Sequence, residues 1–353
     1  MKILFFPREC CPFHGGTLEE RPLGGTETAV IRLAKSLHSL DQEVFVVTDE
    51  SEILPANPRY IKEAEIDKHG PYDAVIVVRD WHTAFHPFPT KKVFLWTGDN
   101  WDNPHTFGIG DPRIAKQLAG LFSVSGWHAQ TLSRTSGFPR EKIFILPNGV
   151  HLANFEGEVV RRKRLIYTAT PERGLVHLLS IFPALKKKHP DLELVLFSSF
   201  DRYIAEIPVV VPNDRPYYPL YQKLAQLPGC TLHQSVLQKE LAGEFMQSAI
   251  FVYPSHFEET CCMSALEAQA AGCPIVTSDL AALKETVGEA GFLIPGDPHT
   301  QAYQSQFIEA CDTLLSDPAL FDRYSIVGKK QAQAADWKNR AKLLLTYLRG
   351  EKA

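Results

Sequence analysis

The chain has 353 residues, 44% of them hydrophobic, and a formal net charge of −4. That length predicts two hydrophobic cores rather than one. Residues 1–155 hold 16 basic and 18 acidic side chains and residues 156–353 hold 21 and 23, a net of −2 in each half, so neither half reads as a basic nucleic-acid module. No run approaches the ~20 apolar residues that a membrane span needs. The opening apolar run is stopped by Pro7 and Arg8, too early for a secretion signal, and reads as a first buried strand.

In chain order, short apolar runs at 3–6, 44–48, 74–78, 93–96, 121–124 and 143–146 read as strands. Several are continuously apolar, as suits parallel strands covered on both faces. Between the first two, Val30, Leu33, Ala34 and Leu37 mark one face of a helix over 26–40. A charged stretch near 157–164 follows, and the pattern then restarts. Strands are expected at 164–168, 192–197, 249–253 and 274–277, with helices at 175–189, 238–248, 264–271, 301–315 and 336–348. This alternation predicts an α/β chain of two doubly wound parallel-sheet domains, joined near 157–163. The basic runs Arg161–Arg164 and Lys186–Lys188 read as a solvated linker and a helix end, with an anionic membrane or acceptor phosphate as the second reading. Seven cysteines, an odd number without a CxxC pair, point to a reducing, cytoplasmic compartment.

Three segments suggest a phosphate-bearing ligand. PLGGTE at 22–27 offers Gly24, Gly25 and Thr26 at a strand-to-helix turn, where close backbone approach and unpaired helix-start amides suit an anion. A tight turn without function explains it equally well. TPERGL at 170–175 is the matching turn of the second half, with Arg173 beside Gly174, and a guanidinium binds phosphate bidentately. ETCCMSALEAQAAGCPIV at 259–276 is the strongest. Glu259 stands just ahead of a helix and Glu267 eight residues on, inside it, with Thr260, Cys261, Cys262 and Met263 expected at the helix start. Glu267 could accept two hydrogen bonds from a vicinal diol such as a ribose.

The Glu-x7-Glu segment resembles the signature of retaining glycosyltransferases of family 4, which have the GT-B fold. The likeness extends to Gly24–Gly25 with LAKSL, to SVSGWHAQTL at 123–132, to LPNGV at 146–150 and to Trp337 in the last helix. It implies two Rossmann-like domains facing across a cleft: 1–157 for the acceptor, 158–335 for the donor, and a helix at 336–353 crossing back. It further implies a nucleotide-diphosphate sugar as donor, UDP-glucose favoured over a GDP-sugar, and a saccharide or lipid-linked saccharide as acceptor. No cofactor and no metal are expected, since no DxD pair is placed to hold one. By resemblance Glu267 binds the ribose, Glu259 the donor sugar and Arg173 the diphosphate. Amides near Gly25, Thr26 and Thr260–Met263 assist, and Gln234, Ser235 and Val236 contact the base.

Three departures stand out. Thr168 occupies the place of a second basic residue, with Lys284 as a substitute to be weighed. Gly98 in LWTGDN replaces a first-domain His, which leaves Asp99 as the polar group there. His151 replaces an Asp after Asn148–Gly149. Arg173, Glu259 and Asp99 are therefore the candidate catalytic residues, with Asp99 or Glu259 as the nucleophile if the reaction has one. A hydrolysing sugar-nucleotide epimerase and a phosphorylase-like enzyme fit the pattern less well. A catalytically inactive sugar-binding subunit is the rival from another class.

Overall fold

The continuously apolar runs are buried parallel strands in a computed structural model that describes residues 1–51, 57–198 and 215–351. Two units result, one of residues 1–149 with 335–353 and one of residues 150–334.

The first unit holds β1 (Lys2–Pro7), β2 (Glu43–Val47), β3 (Arg59–Ile61), β4 (Ala74–Val78), β5 (Val93–Trp96), β6 (Gly120–Ser123) and β7 (Ile143–Ile145). They form one sheet in the order β3-β2-β1-β4-β5-β6-β7, parallel at every pairing. Ile3 sits opposite Val44 on one side and Ala74 on the other, so the strand order reverses at β1. The helix Gly25–His38 turns Val30, Leu33, Ala34 and Leu37 inward, as their spacing requires.

The second unit repeats the plan with β8 (Arg164–Tyr167), β9 (Glu193–Phe197), β10 (Cys230–His233), β11 (Ile250–Tyr253), β12 (Ile275–Ser278) and β13 (Gly291–Ile294), in the order β10-β9-β8-β11-β12-β13. Here the order reverses between β8 and β11. In such sheets the crevice beyond the carboxyl ends of the reversing strands is where ligands bind.

One reading of the basic runs needs correction. Arg161 and Arg164 are not a solvated linker. Arg164 is 5% exposed; its guanidinium meets Glu244 Oε2 at 2.8 Å and donates to Ser248 Oγ at 3.1 Å. It also donates to the Glu244 carbonyl at 2.8 Å, while Arg161 donates to the carbonyls of Ser248 and of Ala271. These carbonyls belong to the ends of the helices Gln238–Gln247 and Met263–Ala270. A helix's last carbonyls lack intrahelical partners and carry partial negative charge, so two arginines satisfy both ends.

The helix Trp337–Arg349 completes the first unit. Asp336 caps it by accepting from Lys338 N, Gly350 ends it in the left-handed conformation, and it packs on the Gly25–His38 helix. Trp337 is 3% exposed and lies so close to Gly149 that a Cβ there would come within 2.6 Å of its ring. Tyr347 Oη donates to the Ile145 carbonyl at 3.1 Å and Arg340 Nε to the Asn148 carbonyl at 3.1 Å. Trp337→Ala is expected to destabilise the first unit by about 3–5 kcal/mol through the cavity it leaves. Urea unfolding followed by intrinsic fluorescence measures this, and an unchanged midpoint would show that the helix is held by its polar contacts instead.

Candidate functional site

The site of the second unit grows from the carboxyl ends of β8 and β11. After β8 the chain runs through Thr168 and Thr170 into a tight turn, Pro171–Arg173. Gly174 ends this turn at φ +117, and a Cβ there would lie 2.2 Å from the Pro254 carbonyl oxygen. Only glycine fits a left-handed backbone pressed against the residue that follows β11. This close approach aims Arg173 at the loop from Pro254 to Glu259.

There Arg173 Nη1 donates to Glu259 Oε1 at 2.7 Å, and Tyr253 Oη donates to the same oxygen at 2.5 Å. The guanidinium carbon stands 4.2 Å from the Phe257 ring centroid. Thr170 Oγ1 donates to Glu172 Oε1 at 2.5 Å, and that oxygen is 3.5 Å from Arg173 Nε. Glu259 is 7% exposed while the Arg173 side chain keeps 34% of its surface, so the carboxylate is buried and the cation reaches solvent. A buried carboxylate is tolerable only when paired and hydrogen-bonded, and Arg173 with Tyr253 does both. Burial foremost, and then the charge of Glu259, pushes the Tyr253 hydroxyl well above its usual range, so it stays a neutral donor. Burial alone, the largest single influence, would lower the Arg173 pKa; the surrounding acidic groups, Glu259 foremost and then Glu172, together outweigh it and hold the cation more firmly protonated.

Thr168 is buried, its carbonyl accepts from Ser264 Oγ at 2.9 Å, and its Oγ1 has no hydrogen-bond partner. The helix of the Glu-x7-Glu segment is Met263–Ala270, capped by Cys262, whose carbonyl accepts from the amides of Ala265 and Leu266. Thr260 and Cys261 thus lie in the turn before the helix, and the first-turn amides are those of Met263 and Ser264. Glu267, half-buried, accepts from Gln238 Nε2 at 3.3 Å. Gln234, Ser235 and Val236 follow β10 and lead into Gln238's helix, Gln234 exposed and the other two half-buried. Lys284 is exposed and pairs with Asp279 at 3.5 Å.

In the first unit Gly24 precedes the helix start at Gly25 and caps it without a side-chain hydrogen bond; Gly25 is exposed and Thr26 half-buried. Glu27 turns away, buried, and accepts from the Cys11 amide at 3.1 Å. Asp99 receives Arg79 Nε at 2.9 Å and Asn103 Nδ2 at 3.3 Å. Arg79 follows β4 directly, in a left-handed conformation at φ +72, and also donates to the Glu9 carbonyl. His128, fully buried, contacts the Asp99 carbonyl through Nε2 at 2.9 Å and receives the Val124 amide at Nδ1 at 3.3 Å. The amide can only donate, so Nδ1 is the acceptor and Nε2 carries the proton. Burial lowers this histidine's pKa to about 4, which keeps the ring neutral. A Cβ on Gly98 would meet only Val124 Cγ1, at 4.0 Å.

The structure thus joins Arg173 to Glu259 and Glu267 to the helix after 234–236. Asp99 belongs to the first unit. Sequence reasoning missed Tyr253, Phe257, Arg79 and His128. Tyr253 and Phe257 look like core aromatics in a motif search, and the value of Arg79 lies in a backbone conformation no pattern announces.

Residues 162–317 match the family described as Glycosyl transferases group 1. The chain is 25% identical over 284 residues to a D-inositol 3-phosphate glycosyltransferase of Pseudarthrobacter chlorophenolicus, covering 75% of this chain and 63% of that protein. The chain thus spans less than two thirds of that relative's length. Among solved structures it is similar to sucrose-phosphate synthase from Thermosynechococcus elongatus, with a TM-score of 0.72, 16% identity and 99% of each chain covered. It is also similar to Anabaena HepE, solved in complex with UDP and glucose, with a TM-score of 0.71 and 13% identity over 99% of this chain and all of that one.

Gly174→Ala tests the geometry behind the site. The positive φ and the clash with the Pro254 carbonyl together are expected to cost at least about 2 kcal/mol. Chemical denaturation measures the loss, and a variant as stable as the parent would mean the turn has room to relax.

Proposed function

We propose that the protein, whose residues 162–317 match the glycosyl transferases group 1 family and whose chain has the GT-B fold, transfers a sugar from a nucleotide-diphosphate sugar to a saccharide or lipid-linked saccharide. The observation that carries this reading is the Arg173–Glu259 pair, set where the strand order of the second sheet reverses. Glu267 takes the ribose, Gln234, Ser235 and Val236 the base, and Glu259 the hydroxyls of the donor sugar. UDP-glucose is the favoured donor, a choice supported by the UDP and glucose in the Anabaena relative.

The hard step is departure of the nucleoside diphosphate, whose charge grows as the sugar–oxygen bond breaks. Arg173 and the amides of Met263 and Ser264 meet that charge with groups already fixed in place. Glu259 occupies Nη1 of Arg173 and Glu172 stands 3.5 Å from Nε, so Nη2 is the donor that turns to the phosphate. This electrostatic device makes a metal on the diphosphate unnecessary. Retention of configuration follows from front-side attack, a donor phosphate oxygen taking the acceptor proton. Glu259 and Asp99 each accept from an arginine and a second donor. Carboxylates so engaged are poor nucleophiles, which favours front-side attack over a covalent intermediate. No helix among the described residues is long and apolar enough to cross a membrane; a place in the cytoplasm, with peripheral contact to a membrane that displays a lipid-linked acceptor, is part of the same proposal.

Arg173→Ala is expected to lower kcat for donor hydrolysis or transfer by on the order of 10²–10³, with Arg173→Lys recovering part of it because a point charge lacks the fork. Near-normal turnover in Arg173→Ala would place the diphosphate elsewhere, and donor hydrolysis by the parent protein separates an enzyme from a binding subunit. Glu267→Ala is expected to weaken binding of the free nucleoside diphosphate by about 1.5–3 kcal/mol. Calorimetry reads this directly, and unchanged affinity would remove Glu267 from the ribose.

A further inference from the structure

Three histidines converge beside the Arg173 turn and take no part in the donor chemistry. His177 closes the turn Leu175–His177, four residues past Arg173. His256 lies in the loop after β11, three residues before Glu259, and His299 lies just before the helix Gln301–Ser316. His177 Nε2 is 2.9 Å from His256 Nδ1. The ring centroids of His177 and His299 are 4.6 Å apart, those of His256 and His299 5.1 Å. One ring nitrogen from each residue falls within 4.8 Å of the other two.

We propose that His177, His256 and His299 form a binding site for a borderline-soft divalent transition ion such as zinc, which ties together the loops that carry Arg173 and Glu259. Imidazole nitrogens are the ligands such ions prefer, and hard ions such as magnesium take oxygen. In a tetrahedral site with Zn–N near 2.0–2.1 Å, ligand nitrogens stand about 3.3 Å apart. The observed nitrogens need only small ring movements to reach that spacing. An ion displaces the proton shared between His177 Nε2 and His256 Nδ1, while His299 already holds its proton away from the site. His299 Nδ1 lies 2.8 Å from Asp297 Oδ1, which also accepts the His299 amide at 2.9 Å. A carboxylate acceptor fixes the proton on Nδ1 and leaves the Nε2 lone pair free for an ion, an arrangement common behind metal-ligating histidines. His177 is 3% exposed and anchors the cluster on its buried side. His256 and His299 are exposed, so an ion enters from solvent and keeps a water in its fourth position. This site is separate from the diphosphate chemistry, and the inference stands whether or not the donor reading does.

The test is isothermal titration of chelator-stripped full-length protein with zinc chloride, alongside His256→Ala and His299→Ala. Both changes fall at exposed positions, so folding is not at risk, unlike at buried His177. One zinc per chain is expected, with a rise in Tm, and each variant should weaken binding at least tenfold. Asp297→Asn should weaken it by about 10–100-fold through the orientation of His299. Cobalt(II) should show a tetrahedral visible spectrum in the parent that His256→Ala abolishes. Absence of stoichiometric zinc binding, or binding that survives both histidine changes unaltered, would overturn the site.

Discussion

Much of the second unit depends on one close contact, the backbone of Gly174 against the Pro254 carbonyl. It joins the turn after β8 to the loop after β11, the two strands flanking the reversal of order. With the backbones held so near, Arg173 and Glu259 meet without either side chain having to search for the other. Glu259 can then be buried, because Tyr253 at the end of β11 adds a second donor to the same oxygen. Sheet topology determines where the crevice lies, and a missing Cβ determines what lines it.

The first unit solves a similar problem with a different device. Its reversal lies between β1 and β4, and Arg79 follows β4 directly, as Arg173 follows β8 after a short turn. Arg79 reaches Asp99 through an unusual backbone conformation of its own, φ +72, where the second unit uses glycine. His128 anchors the Asp99 backbone from beneath with a ring kept neutral by burial. Each unit thus pairs an arginine that follows a reversing strand with a carboxylate, Glu259 after the other reversing strand and Asp99 after its neighbour β5, with a neutral aromatic donor supporting the acidic residue.

Legibility in the sequence followed burial. β4 and β5, fully apolar and central, could be read to the residue from their hydrophobic runs. Unlike β7, which is also at an edge but apolar throughout, β3, β10 and β13 could not, because each is an edge strand with a partly exposed face. Their residues therefore need not be apolar, and the periodic signal fades. The same logic explains Arg161 and Arg164. A charge run looks solvated until two helix ends, distant in sequence, present carbonyls to it. Arg173, Glu259 and Glu267 stood out because glycines and a fixed spacing framed them. The pairing of the first two was invisible, since it spans 86 residues.

The first unit is discontinuous in sequence: residues 1–149 gain their last helix only from 335–353. During synthesis all of 150–334 is made before that helix. Most of the second unit can therefore begin to fold while the first still exposes the apolar surface that Trp337 and its helix later cover. Chain order then makes the first unit the later one to mature and the more exposed to aggregation while it waits. A released chain cut short of residue 335 would hold every residue of the second unit and an unfinished first one.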